Sequence, residues 1–190
     1  MKTIGVLALQ GSVIEHINML KAFNDVEVLQ VKSKADIEKI DGIILPGGES
    51  TTIGKLLKAF NLFNVLKSRI EKGLPVWGTC AGLILLAKEV VNEEPHLALM
   101  DIKVRRNAFG RQTDSFSVKK IMPAISNEPI ELVFIRAPWI EEVKGNVQIL
   151  CKVEEHIVAA RQGNMLVTSF HPELTNDLSV HRYFLDMVNN

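Results

Sequence analysis

The chain has 190 residues, of which 47% are hydrophobic and 23% are charged, a composition typical of a folded globular protein. Its 22 basic and 22 acidic residues balance, which argues against a nucleic-acid partner, because such proteins neutralise phosphates with an excess of Lys and Arg. No apolar run approaches the ~20 residues of a membrane span, and the N-terminal run is too short for a signal peptide. We therefore expect one cytoplasmic domain over residues 1–190, with no membrane association.

The first half of the chain alternates short apolar runs with helical patterns. Strands are predicted at residues 3–9, 26–31, 42–45 and 74–77, and helices at 13–23, 53–60, 62–72 and 81–90. This β-α-β-α order predicts an α/β fold with a mostly parallel central sheet and helices on both faces. Ligands of such sheets bind at the carboxyl ends of the strands.

The second half is richer in strands. Strand-like runs occupy residues 102–104, 116–119, 132–135, 147–153, 157–160 and 165–169, with few helical patterns between them. We expect a small antiparallel patch joined to the main sheet. An amphipathic helix at 178–188 is predicted to close the chain.

Cys80 lies in the sequence Gly-Thr-Cys-Ala-Gly, between a predicted strand and a predicted helix. This arrangement is the cysteine counterpart of the nucleophile elbow, in which flanking glycines let a tight turn present the nucleophile. The positive end of the following helix favours the thiolate, and the N–H of Ala81 is placed to donate to an oxyanion. The alternative is a buried structural cysteine.

A thiolate nucleophile needs a base, and the base needs an orienting group. His171 and Glu173 follow the predicted strand that ends at residue 169. If the chain is extended there, residues i and i+2 project to the same side, and the carboxylate fixes the imidazole tautomer while the other ring nitrogen faces Cys80. On its own, His-Pro-Glu also fits a solvated turn. Together with the elbow it completes a Cys-His-Glu set.

A third motif, Pro-Gly-Gly-Glu-Ser, follows the predicted strand at residues 42–45. It is not a phosphate-binding P-loop, because five residues separate Gly48 from Gly54, where that motif requires four, and Leu56 follows Lys55. Two interpretations stay open for Gly48: a backbone oxyanion donor or a plain glycine turn.

Two arginines, Arg106 and Arg136, follow strand-like runs, and arginine binds carboxylates such as that of an amino acid through paired donors. Arg105 and Arg111 are interpreted as solvated surface residues, and Cys151 as a core residue. The histidines show no metal-ligand spacing and no G-x-G-x-x-G motif occurs, so we predict no metal and no cofactor.

In this order, Gly-Gly-Glu-Ser, Gly-Thr-Cys-Ala-Gly and Ser-Phe-His-Pro-Glu resemble the motifs of class I glutamine amidotransferases. More narrowly, the chain resembles the glutaminase subunits of pyridoxal 5′-phosphate synthase. The blocks that carry this closer resemblance are residues 9–11, 15–16, 45–52, 106–112, 114–116, 134–138 and 171–175. They are spread over nearly the whole chain.

The resemblance implies a flavodoxin-like, three-layer fold and a catalytic triad of Cys80, His171 and Glu173. It implies a substrate site for L-glutamine formed by Gly48, Glu49, Ser50, Arg106, Ile135 and Arg136, with an oxyanion hole at the N–H groups of Gly48 and Ala81. It also implies a partner, the barrel-shaped synthase subunit that receives the ammonia. Two alternatives stay open: another cysteine hydrolase on this fold, and a catalytically silent regulatory subunit.

Overall fold

The computed structural model describes residues 1–109 and 115–190. In chain order, its elements are β1 (Lys2–Leu7), α1 (Val13–Leu20), β2 (Val26–Val31), α2 (Lys34–Lys39), β3 (Gly42–Leu45), α3 (Ser50–Ala59), α4 (Phe63–Glu71), β4 (Val76–Thr79), α5 (Ala81–Leu86), β5 (Ala87–Val90), β6 (Met100–Arg105), β7 (Ser115–Met122), β8 (Ser126–Ile135), β9 (Trp139–Val143), β10 (Gln148–Val153), β11 (His156–Gln162), β12 (Met165–Thr168) and α6 (Ser179–Asn189), with a 3-10 helix at Pro172–Leu174. The interpretation of Arg111 and the resemblance at residues 110–112 and 114 lie outside the described residues.

The predicted parallel sheet forms the centre of the fold. Strands β2, β1, β3, β4 and β12 lie side by side in this order, and each neighbouring pair is parallel. The sheet continues through β11, β9 and β6 in antiparallel pairs and ends with β5, which is parallel to β6, while β10 pairs with β11. Strands β7 and β8 were expected to join the main sheet but form a separate antiparallel pair. The expected antiparallel addition to a parallel core is therefore confirmed.

Helices cover both faces of this sheet because its central strands are apolar on both sides. In β3, Ile43 and Leu45 pack into one core with α2 to α5, whereas Ile44 packs into a second core with α1 and α6. Successive residues of a strand point to opposite faces, so a continuous apolar run fills two cores. The result is the expected three-layer arrangement. No helix in the described ranges has the length and apolarity needed to cross a bilayer.

The helix predicted through residue 90 is wrong in its second half. It ends at Leu86, and Ala87–Val90 forms β5 in parallel register with β6. The N–H groups of Leu97 and Leu99 donate to the carbonyls of Leu85 and Leu86, both at 2.9 Å, which replaces further helical bonds. Ala, Lys and Glu favour a helix locally, but strand pairing overrides this modest propensity.

Two elements were not predicted at all. Helix α2 begins with a capping box, in which Ser33 accepts from the N–H of Asp36 and the carboxylate of Asp36 accepts from the N–H of Ser33. That Ser-x-x-Asp pattern is visible in the sequence. Strand β9 is short, and it is held between β6 and β11 by pairings that only the tertiary fold reveals.

Candidate active site

Cys80 occupies the turn between β4 and α5, at the carboxyl edge of the parallel sheet. Its backbone angles are φ 48° and ψ −97°, in a region that residues with a side chain rarely adopt. Such a conformation costs about 1–3 kcal/mol and persists only when the surroundings impose it. Here the N–H of Cys80 donates to the carbonyl of Thr168 at 2.8 Å. The residue is 8% exposed, so Cys80 lies at the edge of the core.

The glycines on either side of Cys80 are required by close backbone packing. A Cβ on Gly78 would lie 2.4 Å from the carbonyl carbon of Gly82, and a Cβ on Gly82 would lie 2.1 Å from the carbonyl oxygen of Leu45. Real Cβ atoms do not approach this closely, so neither position accepts a side chain without movement of the backbone. The two glycines therefore let α5 start directly against β3 and β4, which fixes the turn that carries Cys80.

His171 and Glu173 form a buried pair behind Cys80. The Nδ1–H of His171 donates to Oε1 of Glu173 at 2.7 Å. The prediction of an extended backbone between them is wrong, because Pro172–Leu174 forms a 3-10 helix. That tight turn brings the carboxylate of residue i+2 under the imidazole ring. The N–H of His171 also donates to the carbonyl of Val133 at 2.8 Å, which ties the segment to β8.

Charge stabilises the protonated imidazole and the ionised carboxylate. Burial lowers the pKa of His171, but hydrogen bonds and charge interactions with Cys80 and Glu173 outweigh burial and raise it to about 10. Burial raises the pKa of Glu173, but the neighbouring ring of His16, the charge and hydrogen bond of His171 and a hydrogen bond from Ser12 lower it to about 2. At neutral pH, His171 is therefore an imidazolium between a carboxylate and the sulfur of Cys80.

The loop after β3 packs directly on the histidine. The carbonyl of Gly47 accepts from the N–H of Ser12 at 2.9 Å, and a Cβ on Gly47 would lie 2.4 Å from Cε1 of His171. A Cβ on Gly48 would lie 2.4 Å from Oε1 of Gln10. A glycine at position 47 therefore allows the main chain this close to the imidazole. The loop thereby brings the backbone of Gly48 to the same cleft as Cys80.

Both predicted arginines, Arg106 and Arg136, line the cleft. Arg106 donates to Oε1 of Glu49 at 2.6 Å and to Oε2 of Glu93 at 2.8 Å, so two carboxylates engage its guanidinium at the edge of the cleft. Arg136 follows β8, has a φ of 46° and lines the same cleft beside Ile135. The cleft thus has one arginine held in a carboxylate network and a second one beside an exposed apolar side chain.

The cleft has a volume of about 1020 Å³. The sequence-predicted residues that line it are Gly48, Glu49, Ser50, Cys80, Arg106, Ile135, Arg136 and His171. Ala81 and Glu173 lie behind this lining, with 1% and 5% of their surface exposed. Arg105 lies outside it and forms a surface ion pair with Glu141. In the described parts of the chain, no three or more His, Cys, Asp and Glu side chains are grouped so as to hold a metal ion.

Sequence reasoning missed part of the cleft. It is also lined by residues that were not predicted as site residues, namely Gln10, Gly11, Ser12, Gly47, Ile84, Asn107 and Leu174. Ser12 donates from its hydroxyl to Oε1 of Glu173 at 2.8 Å, and Gln10 accepts from the N–H of Glu49 at 2.8 Å. For Gln10, Gly11 and Ser12 the available signal was position, because they follow β1, whose carboxyl end lies beside that of β3.

Comparison with known proteins points to one family. The SNO glutamine amidotransferase family matches residues 6–190. Pyridoxal 5′-phosphate synthase subunit PdxT of Clostridium beijerinckii is 62% identical over 183 residues, which is 96% of each chain. Its counterpart in Clostridium botulinum is 58% identical over 184 residues, which is 96% of this chain and 95% of that one.

Two solved structures have a similar fold. A crystal structure described as a glutamine amidotransferase is 43% identical, with a TM-score of 0.92 over 98% of this chain and 99% of that one. The structure of PurLQS from Thermotoga maritima is 18% identical, with a TM-score of 0.72 over 98% of this chain and 99% of that one, and shows a shared fold alone. With the family match over nearly its whole length and relatives of this similarity, the chain belongs to the SNO glutamine amidotransferase family.

Proposed function

We propose that this chain is the glutaminase subunit of a pyridoxal 5′-phosphate synthase, with residues 1–190 forming one glutaminase domain. It hydrolyses L-glutamine to L-glutamate and ammonia. The observation that carries the proposal is the connected set of Cys80, His171 and Glu173 at one edge of the sheet, with the first two residues facing a cleft. The relatives named as synthase subunits support the same assignment.

In the first half of the reaction, the Cys80 thiolate attacks the side-chain amide carbon of glutamine, and a C–S bond forms. The carbonyl electrons move onto oxygen, and the backbone N–H groups of Gly48 and Ala81 stabilise this oxyanion. The imidazolium of His171 gives its proton to the departing nitrogen as the C–N bond breaks. Ammonia leaves, and a thioester remains on Cys80.

In the second half, His171 is neutral and accepts a proton from an attacking water. The new tetrahedral oxyanion occupies the same hole, and its collapse breaks the C–S bond. The product leaves with a protonated side-chain carboxyl group, which gives its proton to water to become glutamate, while Cys80 is again a thiolate and His171 is again an imidazolium. Glu173 keeps the Nδ1–H of His171 in place through both halves, so that Nε2 always faces the reacting atoms.

Glutamine binding is assigned to residues around the nucleophile. Arg136 and Ile135 at the end of β8, together with Gly48, Glu49 and Ser50 at the start of α3, surround the space in front of Cys80. Carboxylate and ammonium groups of an amino acid need partners of opposite charge, and Arg136 and Glu49 supply both signs. The pairing of Glu49 with Arg106 fixes the position of its carboxylate.

The ammonia requires a recipient. Released into bulk water at neutral pH it is protonated and diluted, so a separate synthase subunit has to take it up. The amidotransferase relatives are named as subunits of pyridoxal 5′-phosphate synthase, which supports the synthase subunit of that enzyme as the recipient. An unpaired glutaminase would waste glutamine, so we expect weak activity in the absence of this partner.

We expect glutamate release from L-glutamine to rise on the order of tenfold or more when the synthase subunit is added. The measurement is a coupled glutamate assay on the purified chain, with and without the synthase subunit of the same organism. Equal turnover in both conditions would contradict partner gating. Cleavage of peptides or esters in place of glutamine would indicate another cysteine hydrolase, and no turnover in either condition would indicate a silent subunit.

A further inference from the structure

Two fully buried histidines lie behind the triad carboxylate and take no part in the reaction described above. His16 on α1 and His181 on α6 are both 0% exposed. Nδ1 of His16 lies 3.0 Å from Nε2 of His181. On its other side, Nε2 of His16 lies 3.2 Å from the hydroxyl of Thr79 and 3.6 Å from Oε2 of Glu173. A row of polar groups therefore connects α6 to the catalytic carboxylate through an apolar core.

The two oxygens of Glu173 have different surroundings. Oε1 accepts from His171 at 2.7 Å and from Ser12 at 2.8 Å. Oε2 is buried and has no hydrogen bond of ordinary length within the described residues. The ring nitrogen of His16 faces it at 3.6 Å. Because a buried carboxylate oxygen without a donor is strongly unfavourable, the proton on that nitrogen matters to the whole triad.

The contacts select one tautomer for each histidine. Nε2 of His16 faces an oxygen of the ionised Glu173 carboxylate, which can only accept, so it carries the hydrogen, and Nδ1 of His16 is left as an acceptor. Nε2 of His181 then donates to it, and Nδ1 of His181 is bare. This nitrogen is buried and has no hydrogen-bond partner in the part of the chain that is described. All the N–H groups of the row therefore point towards Glu173.

Burial favours the neutral form of both rings. It lowers the pKa of His16, with the charge of His171 acting in the same direction and those of Glu173 and Glu15 opposing. It lowers the pKa of His181 well below its usual value, where His16 reinforces the effect and Glu173 opposes it. Both rings therefore act as fixed dipoles rather than as charges.

The aromatic packing holds the two rings in these orientations. The ring of Trp77 meets His16 edge-on, with centroids 5.4 Å apart and planes at 81°, and meets His181 at 4.8 Å and 78°. Edge-on contacts of this kind are specific for ring orientation. A rotation of either ring would break both the packing and the nitrogen-to-nitrogen hydrogen bond.

We propose that His16 is a positioning residue of the triad: its neutral ring directs Nε2–H at Oε2 of Glu173 and so keeps Oε1 against His171, while His181 fixes the tautomer of His16. This inference rests on the proposed glutaminase function. Without the His16 donor, Oε2 turns towards another partner or binds a proton. The orientation of His171 then loosens, which affects the chemical step and leaves glutamine binding intact.

The test compares two replacements of His16. In His16→Gln the side-chain amide nitrogen can take the place of Nε2, whereas His16→Met fills a similar volume without a donor. We expect His16→Met to lower kcat about 10- to 100-fold with KM within about twofold, the range seen when the hydrogen-bond partner of a metal-binding histidine is removed. We expect His16→Gln to recover most of kcat. His156→Gln, on β11 and outside the cleft, is the matched control and should keep kcat within about twofold.

The pH profile gives a second readout, because loss of the donor raises the pKa of Glu173. Besides His16, the groups that act on this carboxylate and its histidine are His171, Cys80, His181 and, through His16, Glu15. The acid limb of kcat/KM should move to higher pH in His16→Met and return in His16→Gln. A His16→Met enzyme with wild-type kcat, or a His16→Gln enzyme as impaired as His16→Met, overturns the proposal.

A measurement on the wild-type chain protects this test against variants that fail to fold. Nitrogen-15 NMR of histidine-labelled protein should show His16 and His181 as neutral Nε2–H tautomers across pH 6 to 8. An imidazolium or an Nδ1–H tautomer at His16 overturns the proposal. The result does not depend on turnover, so failure of the glutaminase function, seen as wild-type protein that releases no glutamate, is distinguished from failure of the positioning role.

Discussion

Replacing Cys80 by alanine is expected to reduce glutamate release by about 10⁴-fold or more, to the limit of the assay, because no other group can form the thioester. Cys80 is the nucleophile of the proposed reaction, and its strained backbone conformation presents the sulfur to the cleft. Alanine removes only the sulfur and fits the same turn. The variant should therefore fold, bind glutamine and associate with the synthase subunit, while catalysis is lost.

Cys151 provides a matched control, since it is the second cysteine of the chain. It lies on β10 and is 7% exposed, and burial raises the pKa of its thiol, so it stays protonated at neutral pH. Cys151→Ala should keep wild-type activity and lose about 1 kcal/mol of stability. Measurable glutamate release by Cys80→Ala, or its loss in Cys151→Ala, would contradict the assignment of the nucleophile.

Replacing Gly82 by alanine is expected to lower the free energy of unfolding by about 3 kcal/mol, at the upper end of the range for overpacked cores. The added Cβ would lie 2.1 Å from the carbonyl oxygen of Leu45 and 2.9 Å from its Cβ. Backbone atoms cannot move aside as a flexible side chain does, so α5 must shift away from β3. Because Cys80 immediately precedes α5, activity should fall as well. Urea denaturation and the glutamate assay measure the two effects.

Gly163 is the matched control for this substitution. It has a φ of 57°, and a Cβ placed on it would meet nothing within 4 Å. Gly163→Ala should therefore show only the penalty of a left-handed backbone, about 1–2 kcal/mol, with normal activity. If Gly82→Ala is no more destabilising than Gly163→Ala and keeps its activity, the close packing of the elbow is not what holds Cys80 in place.

Local patterns made the parallel core and the elbow predictable. Continuous apolar runs bounded by glycines were correctly predicted as buried strands, because a strand that is buried on both faces is apolar at every position. The turn at Cys80 was equally visible, because its glycines at fixed spacing are a local requirement of the backbone. The pairing of His171 with Glu173 was found for the wrong reason: both residues were identified, but a 3-10 turn brings them together.

The features that were not predicted depend on contacts between distant parts of the chain. Ala87–Val90 is a strand only because β6 lies beside it, which no local propensity indicates. Ser12 and His16 contact Glu173 although they are far from it in sequence, with 161 positions between Ser12 and Glu173. Arg106 was expected near a substrate carboxylate, and its pairing with Glu49 and Glu93 is a property of the folded cleft.

The most direct test of the covalent mechanism is labelling with a diazoketone analogue of L-glutamine, followed by mass spectrometry of the peptides. The central claim is that Cys80 attacks the amide carbon of glutamine bound in the cleft. It predicts one adduct per chain, on Cys80, that forms more slowly when glutamine is present in excess, with none on Cys151. Protein that releases glutamate but carries no adduct on Cys80, or carries it on Cys151 alone, would contradict the claim.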